Sequence, residues 1–133
     1  MTDARQVCSL IDELAHRIDE HVRACVSGTD LTASQAIALR ELSEPLTMRE
    51  LAARMHCATS NVTFVVDRLE NLGLVERRPH PKDRRAKTLV LTEAGEQERT
   101  AVLSRFGVNA PLANLSEEDR RTLRGLLQRA LSE

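Results

Sequence analysis

The stretch that decides the fold covers residues 46–96 and reads LTMRELAARMHCATSNVTFVVDRLENLGLVERRPHPKDRRAKTLVLTEAGE. Its first half predicts two short helices. Thr47 and Glu50 have the spacing of a capping box, in which a hydroxyl and a carboxylate bind free backbone N–H groups, so a helix begins directly after Thr47. A second apolar periodicity starts beyond the turn at residues 56–58 and stops at Gly73, which ends the second helix.

The second of these helices has one apolar face and one polar face. The spacing of three and four residues predicts that the following side chains are buried: Val62, Val65, Val66, Leu69 and Leu72. On the first helix, the small side chain of Ala52 permits a close approach of Val62. Two short helices joined by a tight turn fit a helix-turn-helix, but they fit an ordinary helical hairpin equally well.

The residues beyond Gly73 favour the helix-turn-helix. The runs LVERR at 74–78 and KTLVL at 87–91 are rich in branched side chains and predict two strands, with a proline-containing basic loop between them. A helix-turn-helix followed by a β-hairpin is a winged helix. We therefore predict a mainly α fold with a small β-hairpin wing, flanked by N- and C-terminal helices.

Two linked motifs make this prediction more specific. VDRLENLGLVERR at residues 66–78 is followed by DRRAKTLVLTEAG at residues 83–95, with an Asp-x-Arg wing tip and a Leu-Thr-x-x-Gly helix start. In both motifs and in their spacing, the chain resembles the MarR family of winged-helix transcription regulators. The resemblance implies a regulator that binds double-stranded DNA as a homodimer, and repression is the usual mode of the family.

The resemblance also places the second helix of the motif in the DNA major groove. Helical geometry independently directs Asn61, Phe64 and Arg68 away from the core, with Thr63 at the margin. Asparagine pairs with adenine, arginine with guanine, and threonine or phenylalanine contacts a thymine methyl group. The alternative is an ordinary solvated helix face. The candidate recognition residues are Thr59, Ser60, Asn61, Thr63, Phe64 and Arg68.

Positive charge is concentrated in the predicted wing. The chain has a formal net charge of −1, yet residues 76–87 hold six basic and two acidic side chains. Two prolines stiffen the loop, and a narrow minor groove attracts arginine. In the family that the chain resembles, the wing-tip arginine, here Arg85, enters the minor groove beside Asp83. Arg77 and Arg78 lie on a strand, where pairing with acids across the hairpin is an alternative. The candidate wing contacts are Arg78, Lys82, Asp83, Arg84 and Arg85.

The flanking segments predict further amphipathic helices. Apolar residues recur every three or four positions from Val7 to Val26, residues 93–106 form another helix, and a last helix starts at Ser116. Such helices need a surface to bury against, and the resemblance assigns them to a dimer interface. A two-fold dimer implies a pseudo-palindromic operator. The predicted organisation is a winged helix-turn-helix region at 31–91 and a helical dimerisation region at 1–30 and 92–133, together in one intertwined domain.

The signal that such a regulator senses has two candidates. In the family's common mode, an organic effector binds between the dimer helices and the winged region, and its identity is unknown. The alternative is a thiol-based redox sensor, because Cys8 occupies the place of the peroxide-sensing cysteine in the organic-hydroperoxide branch. That branch uses tyrosines to poise the thiolate, and this chain has no tyrosine. His21 and Cys25 have the spacing of a metal pair but lack further ligands, so neither a metal nor a cofactor is expected.

Composition narrows the remaining classes. No apolar run approaches the roughly 20 residues of a membrane span, and three scattered cysteines do not form a disulfide framework, so a cytoplasmic protein without a membrane partner is expected. The motifs of nucleophile elbows, phosphate loops and zinc proteases are missing, which argues against an enzyme. The slight overall acidity leaves one competitor open, a winged helix that binds protein and not DNA.

Overall fold

The computed structural model describes residues 2–132, which form six helices and three strands. The helices are α1 (Ala4–Val26), α2 (Ala33–Glu41), α3 (Met48–Met55), α4 (Thr59–Asn71), α5 (Glu93–Gly107) and α6 (Glu117–Leu131). The strands are β1 (Leu46–Thr47), β2 (Val75–Pro79) and β3 (Lys87–Leu91). This mainly helical architecture with a small antiparallel sheet confirms the predicted fold class. None of these six helices is long and apolar enough to cross a membrane.

Capping boxes determine where α2 and α3 begin, as their spacing predicts. At α3, the Thr47 hydroxyl accepts a hydrogen bond from the N–H of Glu50 at 3.1 Å, and the Glu50 carboxylate accepts one from the N–H of Thr47 at 3.0 Å. Thr32 and Gln35 form the same reciprocal pair at α2, with distances of 3.2 and 3.1 Å. Each pair satisfies N–H groups that have no partner within the helix, so both helix starts are fixed by local chemistry.

The turn between α3 and α4 depends on a left-handed residue that carries a side chain. His56 ends α3 with a φ of 54°. The N–H groups of His56 and Cys57 donate to the carbonyls of Ala53 and Ala52. A residue with a Cβ pays roughly 1–2 kcal/mol in this conformation, which glycine adopts freely. The tight turn of the helix-turn-helix is therefore formed at a conformational cost.

The wing belongs to a three-stranded antiparallel sheet in the order β1-β3-β2. In the hairpin, Val75 pairs with Leu91 and Pro79 with Lys87, so the predicted strands are confirmed. The short strand β1 adds the pair Thr47 and Thr88 on the other edge of β3. Strand β1 was not predicted, because two residues are too few to show a period.

The core lies between α2, α3, α4, the sheet and α5. Its largest fully buried side chains are Leu39, Leu46, Leu51, Val62, Val66, Leu69, Leu89 and Val102. Val65 is half-buried and packs against this cluster. The prediction that Leu72 is buried was wrong, since its side chain is 51% exposed. Helix α4 ends at Asn71 and the chain turns at Gly73, so Leu72 lies where the chain leaves the core.

The start of α5 is fastened to the end of α4. The Thr92 hydroxyl donates to the carbonyl of Gly73 at 2.7 Å and accepts from the N–H of Gly95 at 3.0 Å. The N–H of Thr92 donates to the carbonyl of Leu74 at 3.0 Å. The Leu-Thr-x-x-Gly motif thus has a structural role, because its threonine caps α5 and holds the preceding loop.

Two compact units can be described separately. One comprises Val22–Gly107 and contains α2 to α5 and the sheet, with α5 packed against α2. The other comprises the residues before Val22 and after Gly107, including α6. In this second unit several large apolar side chains of α1 and α6 are exposed: Val7, Leu10, Ile11, Leu126, Leu127 and Leu131. The domain limits proposed from the sequence, at 31–91, stay a prediction.

Candidate DNA-binding surface

The outer face of α4 carries the side chains that the sequence singled out. Asn61, Phe64 and Arg68 are exposed, and Thr63 is half-buried, with its hydroxyl donating to the Thr59 carbonyl at 2.9 Å. Val62, Val66 and Leu69 lie on the buried side of the same helix. The helix therefore presents a polar surface with one aromatic ring, as expected from its periodicity.

The first turn of α4 is open to an anion. Its N-cap residue, Ala58, has no side chain that could bind the helix N–H groups, and no acidic residue lies in the first turn. Thr59 and Ser60 are exposed at this end. Free N–H groups at the positive end of a helix favour a phosphate group, which suits the predicted DNA contact.

Arg68 lies over the ring of Phe64. Its Cζ atom is 5.4 Å from the ring centroid, within the range of a cation–π contact. The two residues are four positions apart on the exposed face of α4, so helical geometry alone brings them together. Phe64 and Arg68 also line a cavity of about 430 Å³, together with Asp30 and Ser34.

The wing loop is closed by backbone hydrogen bonds and two side-chain acceptors. The N–H of His80 donates to the carbonyl of Ala86 at 3.1 Å, and the N–H of Lys82 donates to Nδ1 of His80 at 3.0 Å. At the tip, the carboxylate of Asp83 accepts from the backbone N–H of Arg85 at 3.0 Å. Asp83 therefore shapes the turn through the main chain and leaves the Arg85 guanidinium available.

The basic residues of the wing fall into two groups. Arg77 contacts Asp67 and, at 3.2 Å, Glu70, while Arg78 contacts Glu76 at 2.9 Å. By contrast, the exposed side chains of the second group form no ion pair within residues 2–132. This second group consists of Lys82, Arg84 and Arg85 in the wing loop and Lys87 at the start of β3. Three of these four unpaired cations therefore lie at the tip of the wing.

The partners of Arg77 differ from those that the sequence suggested. Pairing across the hairpin was the alternative that the sequence suggested, but both acids lie on α4, so Arg77 joins the wing to the candidate recognition helix. Asp67 and Glu70 are three residues apart and face the same side of that helix. This spacing was visible in the sequence, but only the fold shows that β2 passes beside it.

The three cysteines have different surroundings. Cys8 is exposed, whereas Cys25 and Cys57 are partly buried. The Cys25 thiol donates to the carbonyl of Arg105 at 3.3 Å. Burial raises the pKa of this thiol, and the positive charge of Arg105 opposes the shift. Among the described residues no group of three or more His, Cys, Asp or Glu side chains is arranged to hold a metal ion.

A second cavity, of about 400 Å³, lies within the unit Val22–Gly107. Leucines contribute its apolar wall, and Arg105 and Glu98 contribute charge. The Nη1 atom of Arg105 is buried and has no hydrogen-bond acceptor in the described part of the chain; Oε1 of Glu98 is 3.9 Å away. The exposed Leu72 is one of the wall residues, with Leu31 and Leu74. A cavity of this size and mixed character fits a small organic molecule.

Comparison with known proteins gives consistent results. The model of the MarR family matches residues 31–87. The HTH-type transcriptional repressor MdtR of Bacillus subtilis is 30% identical over 118 residues, which are 82% of this chain and 73% of MdtR. A MarR family protein from Bacillus stearothermophilus has a similar structure, with a TM-score of 0.76, 29% identity and coverage of 99% and 100% of the two chains. A mutant of Escherichia coli MarR complexed with operator DNA gives a TM-score of 0.75, 26% identity and coverage of 98% and 100%.

Proposed function

This chain is a transcription regulator of the MarR family and not an enzyme, and from that premise we propose that it binds a pseudo-palindromic operator as a homodimer. Helix α4 enters the major groove, and the wing enters the adjacent minor groove. The half-sites lie about one helical turn apart, ~10 base pairs. The complex of the Escherichia coli relative with operator DNA supports operator binding by this chain.

One observation carries the proposal. The exposed outer face of α4 and the unpaired cations of the wing tip belong to the same compact unit, Val22–Gly107. Arg85 is the most informative of these cations, because Asp83 fixes its backbone while its guanidinium contacts no acid within residues 2–132. A guanidinium held in this way suits a narrow groove of negative potential.

The homodimer is proposed from the helices outside this unit. Apolar side chains of α1 and α6 are exposed, and Leu10, Leu126 and Leu131 are each more than half exposed. Exposed apolar stripes of this kind mark protein interfaces. A second copy of the chain is the natural partner, since a two-fold dimer presents two identical reading surfaces to the two half-sites.

Repression and control by an effector complete the proposal. MdtR is named a repressor, which supports the same mode of action here. A small organic effector would lower operator affinity by favouring dimers in which the distance between the two recognition helices does not match the distance between the half-sites. The cavity beside Leu72 is the proposed effector site, because Arg105 and Glu98 contribute charged side chains to its lining and three leucines offer apolar contact. Loss of effector response in Arg105→Met, with operator binding retained, tests this assignment.

Selection from a random duplex pool tests the DNA-binding function. The full-length protein should select two inverted half-sites at moderate salt. On the selected operator, Arg85→Ala should weaken binding. The slope of log K against the logarithm of the salt concentration should also become less steep by about 0.9, which corresponds to one phosphate contact. Asn61→Ala should mainly relax base preference at one position.

Lys87→Ala is the matched control, because Lys87 is an exposed cation on the same hairpin but away from its tip. If Lys87→Ala and Arg85→Ala weakened binding equally, the wing would contribute only general charge. Failure to select any sequence would favour the competing function, a winged helix that binds protein.

A further inference from the structure

Phe64 is an unusual residue to find on the outer face of α4. Its side chain is 64% exposed, although the neighbouring exposed residues Asn61 and Arg68 are polar. A ring this exposed gains little from burial within this chain, so its position favours an external contact or a role toward its neighbour. The contact with Arg68, at 5.4 Å from the ring centroid, gives Phe64 a role toward its neighbour.

The acids near Arg68 are already engaged. Asp67 and Glu70, which flank it in sequence, both contact Arg77 of the wing. No ion pair or hydrogen bond to another side chain holds the guanidinium of Arg68 in the described part of the chain. The ring of Phe64 is therefore the group that positions the Arg68 guanidinium. The five N–H donors of that guanidinium remain available.

A cavity beside Arg68 leaves space for its guanidinium to adopt another orientation. The cavity of about 430 Å³ next to the pair is also lined by Asp30, whose side chain is exposed. Without the ring of Phe64, Arg68 would have both space and an attractive charge on that side. We therefore expect the Arg68 guanidinium to turn toward Asp30 when the ring of Phe64 is removed.

We infer that Phe64 and Arg68 read the operator as one stacked unit, an inference that rests on the proposed DNA-binding function. Arg68 binds O6 and N7 of a guanine, and the ring of Phe64 contacts the 5-methyl group of a thymine. The ring and the guanidinium are 5.4 Å apart, and base pairs stack about 3.4 Å apart, so the two bases lie within two steps of each other. Phe64 is accordingly a specificity-determining residue for thymine and a positioning residue for the guanine contact.

The test uses the full-length protein and the operator selected from the random pool. Each half-site should contain a guanine with a thymine no more than two base pairs away. Replacing that thymine by deoxyuridine removes only the methyl group and should weaken wild-type binding about four-fold, the equivalent of one buried methyl group. Replacing the guanine by 7-deazaguanine removes the N7 acceptor and should also weaken binding.

Two variants separate the two roles of Phe64. Phe64→Leu keeps an apolar contact but loses the cation–π contact, so it should still distinguish thymine from deoxyuridine while losing most of its response to 7-deazaguanine. Phe64→Ala should lose both responses. Adding Asp30→Asn to Phe64→Leu removes the competing carboxylate and should restore part of the guanine response. Because residue 64 is exposed, thermal unfolding should show all these variants folded.

The outcomes are distinct for the two proposals. If no sequence is selected, the DNA-binding function itself is wrong. If an operator is selected but lacks the guanine and thymine pair, or if Phe64→Leu responds to 7-deazaguanine as the wild type does, the stacked reading unit is wrong while the DNA-binding function stands.

Discussion

The carbonyl oxygen of Leu74 lies against the α-carbon of Gly95, so that a Cβ added at Gly95 would be 1.9 Å from it. This contact places the first turn of α5 directly on the loop that leaves α4. The hydrogen bonds from Thr92 to Gly73 and Leu74 hold the two segments together at the same point. The glycine of the Leu-Thr-x-x-Gly motif is thus required by packing, since its φ is not in the left-handed region.

Gly95→Ala should destabilise the protein. The backbone of Leu74 must move to admit the methyl group, and overpacking of this kind costs about 1–3 kcal/mol. The free energy of unfolding in urea measures the effect. Gly125→Ala is the matched control, because residue 125 lies within α6 and its added Cβ would meet nothing within 4 Å. There, alanine should be neutral or stabilising by roughly 0.5–1 kcal/mol. Equal effects at both positions would contradict the packing argument.

His56→Gly should stabilise the helix-turn-helix. Glycine relieves the cost of the left-handed φ of 54°, and part of that gain is lost to its greater freedom in the unfolded chain. We expect a net gain of about 0.5–1 kcal/mol in unfolding free energy. In contrast, Ala53→Gly in the exposed part of α3 should cost about 1 kcal/mol. A loss at residue 56 as large as at residue 53 would show that the His56 side chain makes a compensating contact.

Arg77→Met should weaken operator binding although Arg77 faces acids and not DNA. The change removes the ion pairs between the wing and α4 and leaves Asp67 and Glu70 unpaired beside the candidate recognition surface. We expect an affinity loss of about tenfold, or ~1.4 kcal/mol. Unfolding free energy should change by less than about 1 kcal/mol per pair, because these ion pairs are partly solvated.

The double variant Asp67→Asn, Glu70→Gln separates geometry from charge. If Arg77 acts by holding the wing, this variant should also bind DNA more weakly, despite its two fewer negative charges. A gain in affinity would instead show that Arg77 only neutralises the acids.

The capping box of α3 should make stability depend on pH. The pKa of Glu50 lies below its ordinary value, first because its carboxylate accepts the N–H of Thr47. A group whose pKa is lowered on folding contributes stability above its unfolded pKa, and this contribution is lost as the pH falls through the folded pKa. Between pH 6 and pH 3, the wild type should therefore lose more stability than Glu50→Gln. Parallel pH profiles would show that this carboxylate does not contribute.

Cys8 should react with thiol reagents well before Cys25. Cys8 is exposed, while burial raises the pKa of Cys25 and so lowers its thiolate fraction at neutral pH. Mass spectrometry after brief alkylation at pH 8 measures the order of labelling. Peroxide should leave operator affinity unchanged, because Cys8 has no basic partner or hydrogen bond in the described part of the chain. A peroxide-induced loss of affinity that Cys8→Ser abolishes would establish the redox alternative.

Features set by short spacings were predictable from the sequence. Thr47 and Glu50 determine a helix start by their own hydrogen bonds, and the branched residues of β2 and β3 determine the hairpin. The exposed side of α4 likewise follows from the helical period alone. In each case the physical cause lies within a few residues of its effect.

Features that depend on distant segments were not predictable in this way. Leu72 fits the apolar period of α4 but lies beyond the end of the core, and β1 exists only because β3 passes beside it. The ion pairs of Arg77 with α4 need the wing to fold back over that helix. These contacts are tertiary, so periodicity carries no information about them.

Thr47 has two structural roles, since it caps α3 and pairs with Thr88 on the central strand of the wing. Helix α3, which packs against α4, and strand β3, which begins where the wing loop ends, are therefore joined at a single residue. In the proposed complex, an operator must match the distance between α4 and the wing tip within each half-site. Insertion of one base pair inside a half-site should consequently abolish recognition, whereas the proposed dimer sets the spacing between half-sites.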